Sequence, residues 1–355
     1  MNPPQKKKIL FLYTEIAEYF LSCVRKLKEV GDCDIYIIRW PVNKEAPFHF
    51  NFPKGVNIFE KEQLHGENFV RFCHDINPDL IYCSGWIDKD YLKLCRGFNG
   101  KTPIILGIDN KWEGRFRQWI AILVSRISII RYFSYCWVPG NLQRKYALRL
   151  GFKKENIFTG FYSADFDLFY NKYIANREGK QKHFPKRFLY VGRYYELKGI
   201  KDLWQAFIEL QNEIPNDWEL WCLGTGDVEP ITHHKIKHFG FVQPNDMDRF
   251  IKETGVFILS SHFEPWGVVV HEYVSAGFPL ICSDEVGSAS VFLENGVNGY
   301  SYKSGNIKEL KNAMKKIINL GDAELIAMGE KSVEKARQIT PEKWAKTLLS
   351  LVNKD

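Results

Sequence analysis

Three short segments of the 355-residue chain combine charged residues with glycines in patterns that suit an anionic ligand. In the first segment, Arg193 and Lys198 stand five positions apart, immediately before a helix-like run. Two cations beside a helix N-terminus, where backbone N–H groups are unpaired, can form an anion site. On spacing alone, a solvated surface pair is the alternative, so the assignment depends on the segments that accompany it.

The second segment is Gly224-Thr225-Gly226-Asp227, whose glycines permit a tight turn or the close approach of a ligand. It is no dinucleotide fingerprint, because Glu229 stands where the third glycine would be, and it is no Walker loop. In the third segment, Glu264 precedes Gly267, and Glu272 lies in the helix-like run that follows. A carboxylate there can accept hydrogen bonds from sugar hydroxyls, while N–H groups at the helix start can hold a phosphate. Two glutamates eight positions apart have little meaning without that context.

Apolar runs of strand length precede these segments and recur along the chain. We predict strands over 9–13, 34–39, 80–83, 103–107, 136–138, 188–191, 219–223, 256–259 and 280–282. Between them, 16–30 and 200–214 place apolar residues at helical spacings of three and four. Continuous apolar strands that alternate with helices indicate parallel sheets covered on both faces. The prediction is an α/β protein of two Rossmann-like, doubly wound domains that face a central cleft.

The domain boundaries follow from the chain length and from one polar stretch. Residues 1–170 would form an N-terminal domain, and 187–340 a C-terminal domain. The polar, patternless stretch 171–186 is predicted to be the linker between them. Residues 341–355 would form a C-terminal helix.

The formal net charge of +7 is concentrated in the first half of the chain. Residues 1–170 contain 25 basic and 18 acidic side chains, whereas 171–355 contain 24 of each. The segment 111–154 alone has ten basic residues and one acid, Glu113. Its apolar residues recur at helical spacing, which fits either a core-facing helix with solvated arginines or an amphipathic surface that binds anionic lipid. On the second interpretation, we expect 111–154 to bind an anionic membrane surface.

Bulk features exclude other classes of protein. The eight cysteines show no C-x-x-C spacing and no zinc-like cluster, which favours buried thiols in a reducing compartment. No run is long and apolar enough to span a bilayer, and no signal peptide is evident, so a cytoplasmic protein, peripheral on the inner face of a membrane, is expected. The basic segment carries no nucleic-acid motif.

Six motifs in order make the second half resemble the retaining sugar-nucleotide glycosyltransferases of family 4 (glycosyl transferases group 1), which have the GT-B fold. The matching residues are Val191-Gly192-Arg193…Lys198-Gly199, Leu223-Gly224-Thr225-Gly226, Gly240-Phe241-Val242, Glu264-Pro265-Trp266-Gly267…Glu272, Ala276-Gly277-Phe278-Pro279 and Asn295-Gly296-Val297-Asn298-Gly299. The resemblance is strong over 186–300 and weak elsewhere. It implies that the C-terminal domain 187–340 binds the nucleotide sugar and that the N-terminal domain 1–170 binds the acceptor. It also implies that the C-terminal helix within 341–355 crosses back to the first domain.

The resemblance implies a role for each matching residue. Arg193 and Lys198 would clamp the donor diphosphate and stabilise the leaving group, and Glu264 would bind the donor sugar near the reacting face. Glu272 would accept hydrogen bonds from the ribose hydroxyls. The remaining donor-binding residues would be Gly192, Gly224, Gly226, Phe241, Val242, Trp266, Gly267 and Val268. The resemblance also implies no metal and no other cofactor, with the nucleotide sugar as a substrate.

The first domain departs from the family pattern. No glycine loop follows the first strand, where Thr14 and Glu15 stand instead; either contacts the acceptor, or Thr14 caps the 16–30 helix. Asp109 falls where the family often has a histidine, and it could assist proton transfer or, equally, cap a helix. With Lys111, these residues are the acceptor-side candidates. Four Asp-x-Asp pairs, at 32, 88, 165 and 246, are interpreted as turns and caps and not as metal ligands.

The sequence thus predicts a retaining, metal-independent glycosyltransferase of the hexosyltransferase type. It would move a sugar from a nucleotide sugar to a glycan or lipid-linked acceptor in surface polysaccharide or glycolipid biosynthesis. Two alternatives are another GT-B enzyme, such as a sugar-nucleotide epimerase or a phosphorylase, and a non-catalytic basic protein that binds lipid or nucleic acid. The presence of Arg193, Lys198, Glu264 and Glu272 together argues against both.

Overall fold

The computed structural model describes residues 6–41, 50–64, 66–243 and 246–352. The chain divides into two units, each with its own sheet. Unit 1 comprises Met1–Ala164 and Ile339–Asp355, and unit 2 comprises Asp165–Gln338. The first division follows residue 164, six residues before the predicted end of the N-terminal domain at 170, and the second follows residue 338, two residues before the predicted boundary at 340.

Unit 1 is a parallel sheet with helices, built from seven strands within the described ranges. Its strands are β1 (Lys7–Tyr13), β2 (Cys33–Arg39), β3 (Val56–Glu60), β4 (Leu80–Ser84), β5 (Ile104–Gly107), β6 (Tyr135–Trp137) and β7 (Ile157–Phe158). Its helices are α1 (Glu18–Val30), α2 (Gly66–Ile76), α3 (Lys89–Phe98), α4 (Phe116–Ser128), α5 (Asn141–Leu150) and, from the chain end, α13 (Pro341–Val352). The strand order is β3-β2-β1-β4-β5-β6-β7.

Unit 2 repeats this architecture with six strands in the part of the chain that the structure describes. Its strands are β8 (Arg187–Val191), β9 (Glu219–Leu223), β10 (Ile236–His238), β11 (Val256–Leu259), β12 (Leu280–Ser283) and β13 (Gly299–Tyr302). Its helices are α6 (Phe166–Lys182), α7 (Ile200–Glu213), α8 (Asp248–Glu253), α9 (Val268–Ser275), α10 (Ala289–Phe292), α11 (Ile307–Ile318) and α12 (Asp322–Ala336). The order β10-β9-β8-β11-β12-β13 is the doubly wound Rossmann order.

All nine predicted strands are present, and the prediction of parallel sheets is confirmed. The strands that the sequence missed are β3, β7, β10 and β13. They are the outermost strands of the two sheets. An edge strand is partly exposed and short, so it lacks the continuous apolar run by which a central parallel strand is recognised.

The predicted linker 171–186 is wrong over most of its length, because α6 continues to Lys182. Asp165 caps this helix by accepting a hydrogen bond from the Leu168 N–H group. Phe166, Phe169 and Lys172 are buried, and the helix packs against α8, α9 and α12. Other apolar residues of α6 are only half-buried, such as Leu168 and Tyr170, or exposed, such as Ile174, so the sequence shows no clear helical pattern of buried positions.

The C-terminal helix α13 belongs to unit 1, with the bounds that the sequence predicted. Residues 353–355 of the expected segment lie outside the described residues. Trp344 is buried, and its ring stacks on Trp137 at a centroid distance of 5.1 Å and lies 6.1 Å from both Phe11 and Phe20. The helix therefore completes the core of unit 1 on the face that α1 also covers.

Most of the apolar residues of α4 do not face the core, contrary to one of the two interpretations of 111–154. Ser125 is its one buried residue, and most of its large apolar side chains are exposed. In the described part of the chain, no helix is long and apolar enough to cross a membrane. All eight cysteines lie in described segments, are buried and form no disulfide, as expected.

Candidate functional site

The strand order of unit 2 reverses between β8 and β11, and the loops that follow these two strands contain the predicted anion-binding and sugar-binding residues. Ligands of doubly wound sheets bind at this switch point, outside the carboxyl ends of the strands. The structure brings Lys198 of the first loop against Glu264 of the second, with 2.5 Å between Lys198 Nζ and Glu264 Oε2. Both side chains are largely buried, at 21% and 15% exposed. Two residues 66 positions apart thus form one charged pair.

Hydrogen bonds to main-chain carbonyl groups hold the two loops together. The His262 N–H group donates to the Leu197 carbonyl at 2.8 Å, and Ser260 Oγ donates to the Lys198 carbonyl at 3.0 Å. Gly199 begins α7 with φ +62°, and a Cβ on it would lie 2.1 Å from the Ser260 carbonyl oxygen. Only glycine fits this close approach, and the Lys198–Glu264 geometry depends on it.

The glycine-rich segment after β9 packs its backbone against the first loop. Gly224 has φ +137°, and a Cβ there would lie 1.9 Å from the Gly192 carbonyl oxygen. A Cβ on Gly226 would lie within 2.4–2.8 Å of backbone atoms of Tyr194. The Gly224 N–H group donates to the Gly240 carbonyl at 2.7 Å, which ties in the loop after β10. The glycines of this segment therefore pack three loops together at one sheet edge.

Helix α9 begins at Val268, behind Gly267 in the left-handed conformation (φ +86°). The turn that carries Glu264 is fixed on its far side by Gly287 and Ser288. The Gly287 N–H group donates to the Glu264 carbonyl at 3.0 Å, and Ser288 Oγ donates to the Gly267 carbonyl at 2.9 Å. The N–H groups at the start of α9 therefore lie next to the Lys198–Glu264 pair, which is an arrangement suited to a phosphate and a sugar together.

Glu272 lies in the second turn of α9. Burial, with a smaller contribution from the nearby Asp165 carboxylate, raises the pKa of Glu272 to about 7. The carboxyl group is therefore partly protonated at neutral pH. A ligand that donates hydrogen bonds to this group, as a ribose does, would favour its charged form.

The other donor-side candidates have different surroundings. Arg193 stacks over the Tyr195 ring at 5.2 Å from guanidinium carbon to ring centroid. Phe241 is exposed and Val242 is half-buried. Trp266 is 2% exposed and packs against Phe292, so its ring is a core residue and not an evident ligand contact.

The acceptor-side candidates lie at the carboxyl edge of the unit 1 sheet. Thr14 follows β1, and its Oγ1 lies 3.2 Å from Oγ of Ser84, the last residue of β4; these strands flank the switch point of this sheet. Asp109 follows β5 and accepts a hydrogen bond from Tyr162 Oη at 3.3 Å. Neither is a helix cap, because α1 begins behind Ala17 and α4 behind Arg115. The capping alternatives are therefore wrong.

Glu15 and Lys111 lie beside these residues in the chain. Glu15 is exposed, and Lys111 is half-buried with its carbonyl accepting a hydrogen bond from Gln118 Nε2 at 2.7 Å. The buried Tyr13 and Tyr82 sit close enough to Asp109 for its charge to add to the effect of burial, which raises both tyrosine pKa values. Asp109 is thus set among tyrosines, a mixture of carboxylate and aromatic rings that suits a sugar.

Several residues of these sites were not predicted from the sequence. Tyr162, Ser260 and the His262–Asp202 pair (Nε2 to Oδ2, 2.8 Å) are isolated polar residues in the sequence and acquire partners only in the fold. The nearest signal was position: His262 and Ser260 lie in the loop that follows β11, where function was expected.

The Asp-x-Asp pairs are structural wherever a role is visible. Asp88 caps α3 and pairs with Lys61, and Asp165 caps α6, in agreement with their interpretation as caps. Among the residues described, no group of three or more His, Cys, Asp or Glu side chains is arranged to hold a metal ion.

Comparison with known proteins agrees with this fold. Residues 174–338 match the family model described as glycosyl transferases group 1. The lipopolysaccharide 1,6-galactosyltransferase of Salmonella typhimurium is 23% identical over 78% of this chain and 76% of its own length. The enzyme of that name from Escherichia coli is 26% identical over 74% of this chain and 83% of its own. Anabaena HepE, solved with UDP and glucose, superposes with a TM-score of 0.71 at 16% identity, covering 98% of this chain and all of HepE.

The chain therefore has the GT-B fold of two parallel-sheet α/β domains. The family match and the galactosyltransferase relatives support a glycosyltransferase.

Proposed function

We propose that this protein is a retaining, metal-independent glycosyltransferase of family 4 that adds a hexose to a glycan or lipid-linked acceptor in lipopolysaccharide core or related surface-glycan biosynthesis. The observation that carries the proposal is the Lys198–Glu264 pair at the switch point of unit 2, next to the N-terminus of α9. The relatives named for lipopolysaccharide galactosyl transfer and core biosynthesis favour this acceptor class. HepE, solved with UDP-glucose, favours a uridine diphosphate sugar as donor.

In this proposal, Lys198 and Arg193 bind the diphosphate of the donor. The bond between the anomeric carbon and the phosphate oxygen breaks, its electron pair stays on the diphosphate, and the two cations stabilise that charge. Lys198 already lies against a carboxylate, so the incoming diphosphate meets a lysine that is positioned in advance. The N–H groups at the start of α9 supply further positive potential without a metal ion.

Glu264 and Glu272 bind the sugar and the ribose of the donor. Glu264 stands in the turn that precedes α9 and would accept hydrogen bonds from the hydroxyls of the hexose. Glu272, one helical stretch further, would accept them from the ribose hydroxyls. Phe241 and Val242, in the loop after β10, would contact the base. The contacts to the base, the diphosphate and the hexose thus come from the loops after β10, β8 and β11, in their order across the sheet.

Unit 1 would hold the acceptor. We assign Asp109, with Thr14, Glu15 and Lys111, to the acceptor hydroxyl and its neighbours, and Asp109 to the proton that this hydroxyl loses when the new glycosidic bond forms. We further propose that the enzyme works at the inner face of a membrane, where a lipid-linked acceptor would be encountered.

The donor site is tested by nucleotide binding and its loss. Thermal stability measured against UDP, UDP-glucose, UDP-galactose and the corresponding GDP and ADP sugars should rise with the correct donor, by about 2.7 kcal/mol at a concentration 100 times the dissociation constant. Lys198→Ala, Arg193→Ala and Glu264→Ala should abolish transfer. Lys201→Ala is the matched control, because Lys201 is an exposed lysine in the first turn of the neighbouring α7, paired with Glu196. Full activity in Lys198→Ala or Glu264→Ala would refute the site.

Two further measurements test the chemistry. The anomeric configuration of the product, read by proton NMR, should equal that of the donor sugar; inversion would refute a retaining mechanism. Activity should be unchanged in excess EDTA, and a strict requirement for an added divalent ion would contradict the metal-independent proposal.

A further inference from the structure

Helix α4 of unit 1 exposes a broad apolar face. Phe116 is 78% exposed, Leu123 71% and Ile127 74%. Trp119, Ile120 and Val124 are exposed beside them. At about 3.6 residues per turn, these six side chains fall within an arc of about 140° on one side of the helix. We call these six residues the α4 face. Scattered apolar residues on a surface are ordinary, but a contiguous stripe over more than three turns indicates a binding surface.

The opposite side of α4 is docked on unit 1. Ser125 is buried and donates to the Leu150 carbonyl at 3.4 Å, and Ala121 and Ile122 pack against the core. The inner side of the helix therefore fixes its orientation. The α4 face is exposed because the opposite side is packed, and not because the segment is loose.

Arginines border the α4 face on both sides. On the helical wheel, Arg117 and Arg126 fall at the two edges of the apolar arc, and both are exposed. Arg115 and Arg131 are exposed beyond the two ends of the helix. The one acid of the segment 111–154, Glu113, is engaged by Arg115 with 3.0 Å between the guanidinium and carboxylate atoms. An apolar stripe with cationic borders is the pattern of a helix that lies in the plane of a membrane interface.

We propose that α4 is an interfacial helix that inserts the α4 face into the headgroup region of an anionic phospholipid bilayer while the bordering arginines contact lipid phosphates. The inference deepens the proposed function, on which it rests for the location of the acceptor, by naming the part of the chain that reaches the membrane. Charge decides against a second copy of this chain as the occupant. A two-fold interface through this face would bring together two segments that each have ten basic residues and one acid.

Vesicle co-sedimentation tests the proposal with the full-length chain. The protein should bind vesicles of equal parts phosphatidylglycerol and phosphatidylcholine, fail to bind pure phosphatidylcholine, and be released by high salt. Arg117→Gln should weaken binding about fivefold, the effect expected of one basic residue near the surface. The double variant Leu123→Glu/Ile127→Glu should weaken it at least about tenfold, because it replaces inserted apolar area with charge.

A matched control separates insertion from a general effect of added charge. Ile174→Glu changes an isoleucine that is 50% exposed on α6 of unit 2, and it should leave vesicle binding unchanged. Insertion itself is read from tryptophan fluorescence with lipids brominated on their acyl chains. Quenching by these lipids should be lost in Trp119→Phe, because Trp119 is the tryptophan of the α4 face.

Each result decides the matter. Failure of the wild-type chain to bind the anionic vesicles overturns the proposal, and so does unchanged binding by Leu123→Glu/Ile127→Glu. Self-association that this double variant abolishes, without vesicle binding, would assign the face to a second copy instead. The double variant should still bind UDP, since its substitutions lie in unit 1. If the double variant loses vesicle binding but retains UDP binding, the result supports the membrane proposal without bearing on the donor site. If the wild type does not bind UDP, the donor-site proposal fails and the membrane proposal is unaffected.

Discussion

Replacement of Glu272 by glutamine should stabilise the protein at neutral and alkaline pH and weaken nucleotide binding. The substitution keeps the size and shape of the side chain and removes its charge. Burial in α9, with Asp165 nearby, raises the pKa of this carboxyl group from 4.5 to about 7. A folded-state pKa above the unfolded value means that the native protein binds the proton more tightly than the unfolded chain does. The contribution of this group to the free energy of unfolding is therefore greatest below pH 4.5 and is lost as the pH rises through about 7.

The size of the effect follows from the shift. A change from 4.5 to about 7 corresponds to about 3 kcal/mol at about 1.4 kcal/mol for each pKa unit. The free energy of unfolding of Glu272→Gln should therefore exceed that of the wild type by up to about 3 kcal/mol at pH 8 and by nothing attributable to this group at pH 4. Asp165→Asn, which keeps an oxygen able to cap α6, should shift the pKa of Glu272 downward and recover a smaller part of the difference.

Denaturant unfolding of the wild type and both variants across this pH range measures the effect. Identical pH dependence in wild type and Glu272→Gln would refute the reasoning. The donor assignment adds a second, independent consequence. If the ribose hydroxyls donate to the Glu272 carboxylate, UDP binding at pH 7 should release about half a proton, measurable by calorimetry in two buffers of different ionisation enthalpy. Absence of that release would remove the ribose role while leaving the stability argument intact.

Three other predictions test the packing and the acceptor side. Gly224→Ala should lower the free energy of unfolding by more than about 3 kcal/mol, because its Cβ would lie 1.9 Å from the Gly192 carbonyl oxygen. The control Gly305→Ala, at φ +74° in open space, should lower it by about 1–2 kcal/mol. Thermal melts compare the two variants, and equal losses would contradict the close loop packing. Trp344→Ala should destabilise unit 1 by about 3–5 kcal/mol in urea unfolding, and a near-neutral result would show that α13 is dispensable to that core. Asp109→Asn should lower kcat at least about a hundredfold without changing UDP binding; unchanged kcat would exclude it from proton transfer.

The central elements of both units were predictable from the sequence, because a strand buried on both faces must be apolar throughout. The runs at 219–223 and 256–259 coincide with β9 and β11 residue for residue. The edge strands and α6 were not predictable in this way, since each is only partly buried. In α6, three buried positions hold the helix against its neighbours, and a mostly polar surface concealed them.

The candidate site divides along the same line. Glycines carried much of the readable signal, because Gly199 and Gly224 occupy positions where any side chain would collide with the backbone of another loop. Charged residues such as Arg193 and Lys198 were identifiable as candidates by their place after a strand. The pairing of Lys198 with Glu264 was not predictable, although both residues were candidates, because it joins loops 66 positions apart.

The sequence by itself determined the class of fold, the order of the motifs and the residue types available at the end of each strand, since these depend on local pattern. It also showed that 111–154 is basic, with ten cations against one acid. Only the tertiary structure decided which side of α4 faces outward, that Asp109 accepts a hydrogen bond from Tyr162 and caps no helix, and that Glu272 is desolvated enough to hold a proton near pH 7. Exposure, partners and pKa values are properties of surroundings, and packing brings those surroundings from distant parts of the chain.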